Sequence, residues 1–228
     1  MKLTITAFLI LCSVSVFAQA PATSAYQEGL HYTKFPTAFP TNNDEQVIVY
    51  EFFGYTCPHC ANFQPYVDSW LDKKPKNVKL VRVPALLQPG WDVYAKVYYT
   101  AESMGLVEKT HKALFDAIHK QRKRMRTIEE VAQWYADEFG VDKDKFLSTS
   151  KSFMIDSKMR QSNNMMRKMD IRSTPTIIVN GKYKLNGKAV GGVKGMLDLA
   201  SYLSLKEVNE LKLNQEVPVS ETKALEAK

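Results

Sequence analysis

The sequence predicts an α/β fold in which a βαβ unit and a later β-hairpin are separated by a long helical segment. Residues 47–53 form a continuous apolar run rich in β-branched and aromatic side chains, which is typical of a strand buried on both faces. Apolar side chains recur at helical spacing from Pro58 onward, and residues 78–83 supply a second strand, so the three elements predict a βαβ unit. Residues 176–179, followed by the turn-forming pair Asn180-Gly181, predict the hairpin.

The segment between these β regions predicts several helices. Thr127 and Glu130 have the spacing of a capping box, and Gly140 is the type of residue that ends a helix. Asp142 is placed to cap the following helix, and residues 157–169 predict a long connecting helix. After the hairpin, apolar side chains at helical spacing predict a final helix that covers the sheet: Val193, Met196, Leu197, Ala200 and Leu203.

The composition excludes several classes of protein. The chain has 228 residues, of which 45% are hydrophobic and 24% charged, and this balance excludes a disordered or a polytopic membrane protein. The length suits one hydrophobic core with an appended subdomain. Three cysteines are too few for a disulfide-dense scaffold, and their odd number raises the question of which one is spare.

The N-terminus predicts a secretory signal peptide over residues 1–18. A short basic start is followed by an apolar stretch that ends at Phe17, and Ala18 is a small residue suited to the cleavage site. Cleavage there would remove Cys12 and place the mature chain in an oxidising, exported compartment. The alternative is that Cys12 becomes a lipidated N-terminus, which the bulky Leu11 disfavours.

Cys57 and Cys60 remain in the predicted mature chain, and three interpretations of this pair compete. A disulfide across two intervening residues constrains the unfolded chain little, so it would be a poor structural staple. A zinc site needs further ligands, and His31, His111 and His119 lack the spacing that zinc ligands show. The position between a strand and a helix favours a redox-active dithiol, and we expect neither a metal nor a cofactor.

The predicted place of Cys57 at the start of a helix favours a reactive thiolate. Free backbone N–H groups and the positive end of the helix dipole stabilise a negative charge there. His59 can add a hydrogen bond or a positive charge to the same sulfur. Cys60 lies one turn into the helix, so we expect it to be more buried and to act as the resolving thiol, with Cys57 as the nucleophile.

From Tyr26 to about Leu205 the chain resembles the DsbA-type thiol:disulfide oxidoreductases, the exported branch of the thioredoxin-fold family. The residues that carry the resemblance are Glu51-Phe52-Phe53, Cys57-Pro58-His59-Cys60, Thr174-Pro175 and Asn180-Gly181-Lys182-Tyr183. The resemblance implies a thioredoxin fold with a central mixed β-sheet, interrupted by an inserted all-helical subdomain. It also implies a monomeric periplasmic enzyme that donates its Cys57–Cys60 disulfide to newly secreted unfolded proteins. A quinone-linked inner-membrane protein of the DsbB type would reoxidise it.

The chain after the signal peptide is predicted to have four segments. The first half of the thioredoxin fold covers residues 19–88, and the helical insertion covers residues 89–168. The second half covers residues 169–213, and a polar, flexible tail covers residues 214–228.

The resemblance suggests roles for residues outside the cysteine pair. It implies that Pro175 is a cis-proline facing the active cysteine and that the backbone of Thr174 pairs with substrate. The alternative is an ordinary trans-proline that opens a strand. In the family, the acid that matches Glu51 lies beneath the active site and helps to move a proton to or from the resolving thiol. The alternative is a structural carboxylate, and Arg82 on the neighbouring strand is its expected ion-pair partner.

Two residues depart from the family's pattern, so the redox potential of relatives does not transfer directly. Gln64 stands where many relatives have an acid, and Pro84 replaces a more common polar residue. Two other functions stay open at this point. One is a disulfide isomerase or reductase of the same fold, and the other is a peptide-binding chaperone whose dithiol is incidental.

The net charge of +7 reflects a concentration of Lys and Arg between residues 109 and 126. The first interpretation of this region is a solvated helix face or loop. Weak attraction to anionic membrane lipids is the second. No nucleic-acid recognition motif accompanies the basic residues, so we expect no nucleic-acid partner.

Overall fold

A computed structural model describes residues 25–43 and 45–216 of the chain. The predicted signal peptide, Cys12 included, and residues 217–228 of the predicted tail lie outside these described residues. The strands are β1 (Tyr32–Lys34), β2 (Val47–Phe53), β3 (Val78–Pro84), β4 (Thr176–Val179) and β5 (Tyr183–Leu185). The helices are α1 (Pro58–Leu71), α2 (Trp91–Ser103), α3 (Val107–His119), α4 (Ile128–Phe139), α5 (Lys143–Ser150), α6 (Phe153–Lys168) and α7 (Val193–Glu216).

The described strands form a mixed sheet in the order β1-β5-β4-β2-β3. β2 and β3 are parallel, with Val47 beside Val78 and Glu51 beside Arg82, whereas the pairings of β4 with β2 and of β5 with β4 are antiparallel. The predicted βαβ unit, hairpin and mixed sheet are therefore confirmed. Every residue of β2 is buried, as its unbroken apolar run predicts for a central strand.

The two faces of β2 pack against different helices. Val47 and Val49 belong to a core with α1 and α7, whereas Ile48 and Tyr50 belong to a core that includes Met166 of α6. Because successive side chains of a strand point to opposite faces, the side chain of Glu51 lies on the face that α1 covers. A buried acid is thereby placed under the helix that carries Cys60.

β1 was not predicted. It has three residues, of which Thr33 and Lys34 are exposed, so it carries no apolar run that would indicate a strand. It exists because it pairs with β5 at the sheet edge, Tyr32 beside Leu185. A strand that depends on a partner about 150 residues away in the sequence leaves little local pattern.

Within the described residues, α2 to α6 lie between β3 and β4, in the segment predicted to be helical. The predicted caps are confirmed: Thr127 and Glu130 form a capping box, Gly140 ends α4 with a φ of 66°, and the side chain of Asp142 accepts a hydrogen bond from the backbone of Lys145. The predicted start of α6 was wrong, because that helix begins at Phe153 instead of residue 157.

The C-terminal helix is longer than predicted. Residues 214–216 belong to α7, although the predicted flexible tail began at residue 214. Among the described helices, none has the length and apolar character needed to cross a membrane.

Candidate active site

Cys57 lies where the chain passes from β2 into α1. It is the N-cap residue of α1, with an extended backbone (φ −82°, ψ 116°), and Pro58 occupies the first helical position. Its backbone N–H donates to the carbonyl of Gly54 (3.1 Å), which closes the turn between strand and helix. Proline suits this place because the first helical N–H has no partner within the helix. The sequence therefore puts a sulfur at the helix terminus with unpaired backbone donors.

The pKa values of the two thiols are shifted in opposite directions. The hydrogen bond from the Cys60 thiol lowers the pKa of Cys57 to about 5, assisted by the Thr174 side chain and by the backbone N–H groups of Cys60 and His59. Burial raises the pKa of Cys60 far above its usual range, and the nearby Cys57 sulfur raises it further. The pair consequently holds a single proton at neutral pH. That proton stays on Cys60, and Cys57 is the thiolate.

The cysteine with the lowered pKa is also the more exposed of the two. Cys57 is 7% exposed and Cys60 is 1% exposed. Cys57 is thus the sulfur that an incoming thiol can reach, whereas the side chain of Cys60 is almost completely enclosed. Reactive cysteines combine a stabilised thiolate with partial access to solvent, and Cys57 meets both conditions.

The loop before β4 brings Thr174 against Cys57. The Thr174–Pro175 peptide bond is cis, and Sγ of Cys57 lies 3.6 Å from the main-chain oxygen of Thr174. That carbonyl accepts a hydrogen bond from the thiol form of Cys57, but it has no proton to offer a thiolate. Thr174, which the resemblance singled out, is therefore a neighbour of the Cys57 sulfur, and the adjoining Pro175 has the cis bond that the resemblance implies.

His59 is exposed at the surface of the first turn of α1. The sequence suggested that its imidazole supports the Cys57 thiolate, whereas the part of His59 that lowers the pKa of Cys57 is its backbone N–H, and this contribution is smaller than that of the Cys60 thiol. The effect of the histidine on the sulfur thus arises through the helix terminus.

Glu51 is buried on the face of the sheet covered by α1, with 1% of its surface exposed. Nε of Arg82 lies 3.3 Å from Oε2 of Glu51, so the predicted ion pair is confirmed. The two atoms lack the alignment of a hydrogen bond, and neither has another partner among the described residues. Burial raises the pKa of Glu51, and the attraction to Arg82 only partly offsets this effect.

The structure adds a chain of hydrogen bonds that the sequence did not predict. The Tyr55 hydroxyl contacts Nδ1 of His111 (2.7 Å), Nε2 of His111 contacts Oε1 of Gln64 (3.0 Å), and Nε2 of Gln64 donates to Asp68 (2.6 Å). Because Asp68 accepts from the Gln64 amide, Oε1 of Gln64 faces the histidine and must accept from Nε2–H. Nδ1 of His111 then accepts a hydrogen bond from the Tyr55 hydroxyl.

Gln64 connects His111 to Asp68 in this chain of hydrogen bonds. The sequence marked it only as a departure from relatives. Burial lowers the pKa of His111 well below its usual range, so the ring is neutral, as the directed chain requires. His111 lies at helical spacing with Leu114 and Phe115, which indicates its burial, but no local pattern identifies its partners.

Tyr55 is held at a second point by α3. Nε2 of His119 donates to the main-chain oxygen of Tyr55 (2.7 Å). The turn that precedes Cys57 is therefore attached to α3 through both the side chain and the backbone of one residue. Among the described residues, no group of three His, Cys, Asp or Glu side chains is arranged to hold a metal ion.

The sequence is similar to a thioredoxin family model and to known thiol:disulfide interchange proteins. A thioredoxin family model matches residues 41–198. The thiol:disulfide interchange protein DsbA of Pseudomonas aeruginosa is 38% identical over 198 residues, which covers 87% of this chain and 93% of the relative. The DsbA of Azotobacter vinelandii is 37% identical over 203 residues, with 87% and 94% covered.

Solved structures resemble this chain over most of their length. The crystal structure of Pseudomonas aeruginosa DsbA has a TM-score of 0.76 and 39% identity, and the match covers 82% of this chain and 97% of that one. The oxidoreductase DsbA from Xylella fastidiosa has a TM-score of 0.72 and 31% identity, with 78% and 95% covered. The thioredoxin-like fold is therefore established.

Proposed function

Because the chain belongs to the DsbA-type thiol:disulfide oxidoreductases, we propose that Cys57 is the nucleophilic cysteine and Cys60 the resolving cysteine of a disulfide-donating enzyme. The observation that carries this assignment is the opposite acidity of the two thiols, with the pKa of Cys57 lowered to about 5 and that of Cys60 raised. The protein is a thiol:disulfide oxidoreductase, and its substrates are proteins that carry thiols.

The reaction starts from the Cys57–Cys60 disulfide. A substrate thiolate attacks Sγ of Cys57, the bond to Cys60 breaks, and Cys60 leaves with the electron pair and takes up a proton. A second thiolate of the substrate then attacks the substrate sulfur that is bonded to Cys57, and Cys57 leaves as a thiolate. Two electrons pass from the substrate to the pair. The substrate gains one disulfide.

The acidity of Cys57 favours this direction. Lowering the pKa of a thiol from 9.0 to about 5 stabilises the reduced form by on the order of 3–5 kcal/mol at alkaline pH, once solvent screening is allowed for, and by about half of that at pH 7. At pH 7 this free energy corresponds to a potential roughly 30–55 mV more oxidising. DsbA proteins are the known case of a reduced form stabilised in this way, and the same effect operates here.

The neighbours of the pair receive supporting roles. The main chain of Thr174, with its oxygen 3.6 Å from Sγ of Cys57, is suited to contact the substrate backbone, and Pro175 shapes that contact. Glu51, whose pKa is raised by burial, is suited to exchange a proton with the buried resolving thiol. His59 supports the thiolate from the first turn of α1.

The sequence and the family support a periplasmic setting for this reaction. The signal peptide over residues 1–18 would direct the protein to the periplasm, where newly secreted unfolded proteins supply the thiols. A quinone-linked inner-membrane protein of the DsbB type would reoxidise Cys57 and Cys60. The enzyme would act as a monomer without a cofactor.

Single-cysteine variants test these assignments. Cys57→Ser should abolish disulfide formation in a reduced, unfolded substrate protein. Cys60→Ala should accumulate mixed disulfides that migrate as new bands on non-reducing gels. A double serine variant should lose all oxidation of the substrate, whereas a chaperone with an incidental dithiol would keep its full function, the binding of unfolded chains, after both changes. Retained oxidation in Cys57→Ser would contradict the proposed mechanism.

A further inference from the structure

The connection between α3 and α4, residues 120–126, is called here the basic loop. Every residue in it except Gln121 and Met125 is a lysine or an arginine. These cationic side chains are exposed, whereas Met125 is buried. The loop is therefore a compact positive surface. It can contact a substrate that reacts at Cys57 only if it lies near that residue.

Both ends of the basic loop are attached to residues that contact Tyr55. The loop begins after His119, whose ring donates to the main-chain oxygen of Tyr55 (2.7 Å). Near its other end, the hydroxyl of Tyr94 donates to the main-chain oxygen of Met125 (2.6 Å), and the ring centroids of Tyr94 and Tyr55 are 6.2 Å apart. Because Tyr55 precedes Cys57 by two residues, the loop lies beside the active-site turn.

The basic loop is anchored at several points along its length. The side chain of Met125 belongs to the same apolar cluster as Cys57 and Tyr55. The backbone N–H of Lys123 donates to the carbonyl of Ala117 (2.9 Å), and the N–H of Arg126 donates to the carboxylate of Glu130 (2.5 Å). A charged surface that is ordered before a ligand arrives loses little conformational entropy on binding.

Three arginines of the loop are available for a partner. Lys120 and Lys123 already form ion pairs with Asp116 and Glu138, at 2.8 and 3.0 Å. Within the part of the chain that the structure describes, no carboxylate forms an ion pair with the remaining cations, which are Arg122, Arg124 and Arg126.

The direction of two of these arginines follows from their exposure. Arg124 and Arg126 flank the buried Met125 in a non-helical segment, and both side chains are exposed. These two side chains therefore point away from the core. Arg122 has a left-handed backbone (φ 57°) and is exposed.

We propose that the basic loop recognises acidic segments next to the cysteines of thiol substrates. This inference rests on the proposed function, because it concerns substrates that react at Cys57. Guanidinium groups present a planar set of donors that matches a carboxylate, and charges of opposite sign raise the rate of association. Acidic polypeptides are thus preferred over basic ones at this site.

The test compares three peptides that differ only in the residues around one pair of cysteines: glutamate, glutamine or lysine. Each is oxidised by the disulfide form of the protein at low ionic strength, and the rate is followed by acid quenching and thiol alkylation. A triple variant combines Arg122→Ser, Arg124→Ser and Arg126→Ser. Its ratio of the acidic peptide's rate to the basic peptide's rate should be about tenfold lower than that of the wild type. The rate for the neutral peptide should not change. Comparing the ratio between enzymes cancels the effect of flanking charges on the peptide thiols themselves.

A matched variant controls for net charge. Lys73 and Lys76 are exposed in the connection between α1 and β3, and Lys79 is exposed at the start of β3. This is the opposite end of the parallel β2–β3 pair from Cys57. Changing all three to serine removes the same charge and should leave the ratio as in the wild type. An equal loss of the ratio in this control would overturn the proposal, because net charge alone would then explain the preference.

Two further outcomes separate the possibilities. An unchanged ratio in the arginine variant, together with lost binding to vesicles of anionic phospholipid, would overturn the proposal in favour of a lipid contact. If the wild type does not oxidise even the neutral peptide, the proposed function fails, whatever the loop does. If the tenfold difference in this ratio between the wild type and the arginine variant disappears at about 0.5 M salt, the result would support recognition by charge.

Discussion

The hydroxyl of Tyr55 and Nδ1 of His111 lie 2.7 Å apart, and this contact attaches the turn before Cys57 to the helical insertion. Both residues are buried, and the other ring nitrogen of His111 is engaged by Gln64. A residue two positions from the reactive sulfur is therefore positioned by a helix that lies outside the β-sheet. This contact suggests that the insertion orients the active site as well as packing against it.

Breaking the Tyr55–His111 contact should destabilise the protein. Tyr55→Phe leaves Nδ1 of His111 buried without a donor, which should lower the free energy of unfolding by about 1–3 kcal/mol in urea. Tyr66→Phe is the control, since that hydroxyl belongs to a residue that is 46% exposed and its loss should change the stability by under about 0.5 kcal/mol. Equal stabilities of the two variants would contradict the role of the contact.

The neutral state of His111 predicts a pH dependence. Its pKa is lowered in the folded protein, so the unfolded chain binds a proton that the folded one does not as the pH falls below about 6.5. Stability should be fully present above that pH and decline below it by up to about 1.4 kcal/mol per pH unit. His111→Leu should lack this part of the decline. Parallel curves for the two proteins between pH 6.5 and 5 would contradict the assignment.

The thiolate of Cys57 should stabilise the reduced protein. Since the pKa of Cys57 falls from 9.0 to about 5 on folding, the contribution is fully present above about pH 9, halved near pH 7 and lost near pH 5. Reduced wild type should exceed reduced Cys57→Ala by on the order of 3–5 kcal/mol at the alkaline end. Urea unfolding at several pH values measures the difference, and a difference independent of pH would rule out the thiolate.

Gly54 is required where Trp91 crosses the active-site turn. A Cβ atom on Gly54 would lie 2.5 Å from Cζ3 of Trp91, so Gly54→Ala should cost about 1–3 kcal/mol by overpacking. The second change Trp91→Leu should make the alanine less costly. Gly187→Ala is the control, because its Cβ would meet only the flexible end of Met196, at 3.3 Å. Similar losses at both glycines would argue against a specific clash.

Removal of Glu51 should expose the cost of an unpaired buried cation. Glu51→Gln leaves Arg82 buried without its counter-charge, and the free energy of unfolding should fall by about 3–5 kcal/mol. Adding Arg82→Met should recover much of this loss, because the double variant buries no charge. A double variant less stable than Glu51→Gln would show that the ion pair is not the reason for the loss.

Some of these features could be predicted from the sequence because they depend on local patterns. The unbroken apolar run of β2 indicated a central strand, and Pro58 after Cys57 indicated a helix start. The contact of Cys57 with Thr174 spans 117 residues and was anticipated only through the resemblance to a known family.

Other features depend on pairings that leave no local pattern. Tyr55 and His111 are 56 residues apart, and His111 and Gln64 are 47 apart. Helical spacing indicates that His111 is buried, yet the identity of its partners depends on how α1 and α3 pack. The edge strand β1 was missed for the same reason, since its pairing with β5 is its main support.

The measurement that tests the central claim most directly is the equilibrium of the Cys57–Cys60 pair with glutathione. A thiolate stabilised at Cys57, with the proton kept on Cys60, predicts a reduction potential at or above about −200 mV, as for an enzyme that donates disulfides. A value near about −270 mV, typical of a thioredoxin that reduces disulfides, would contradict the account.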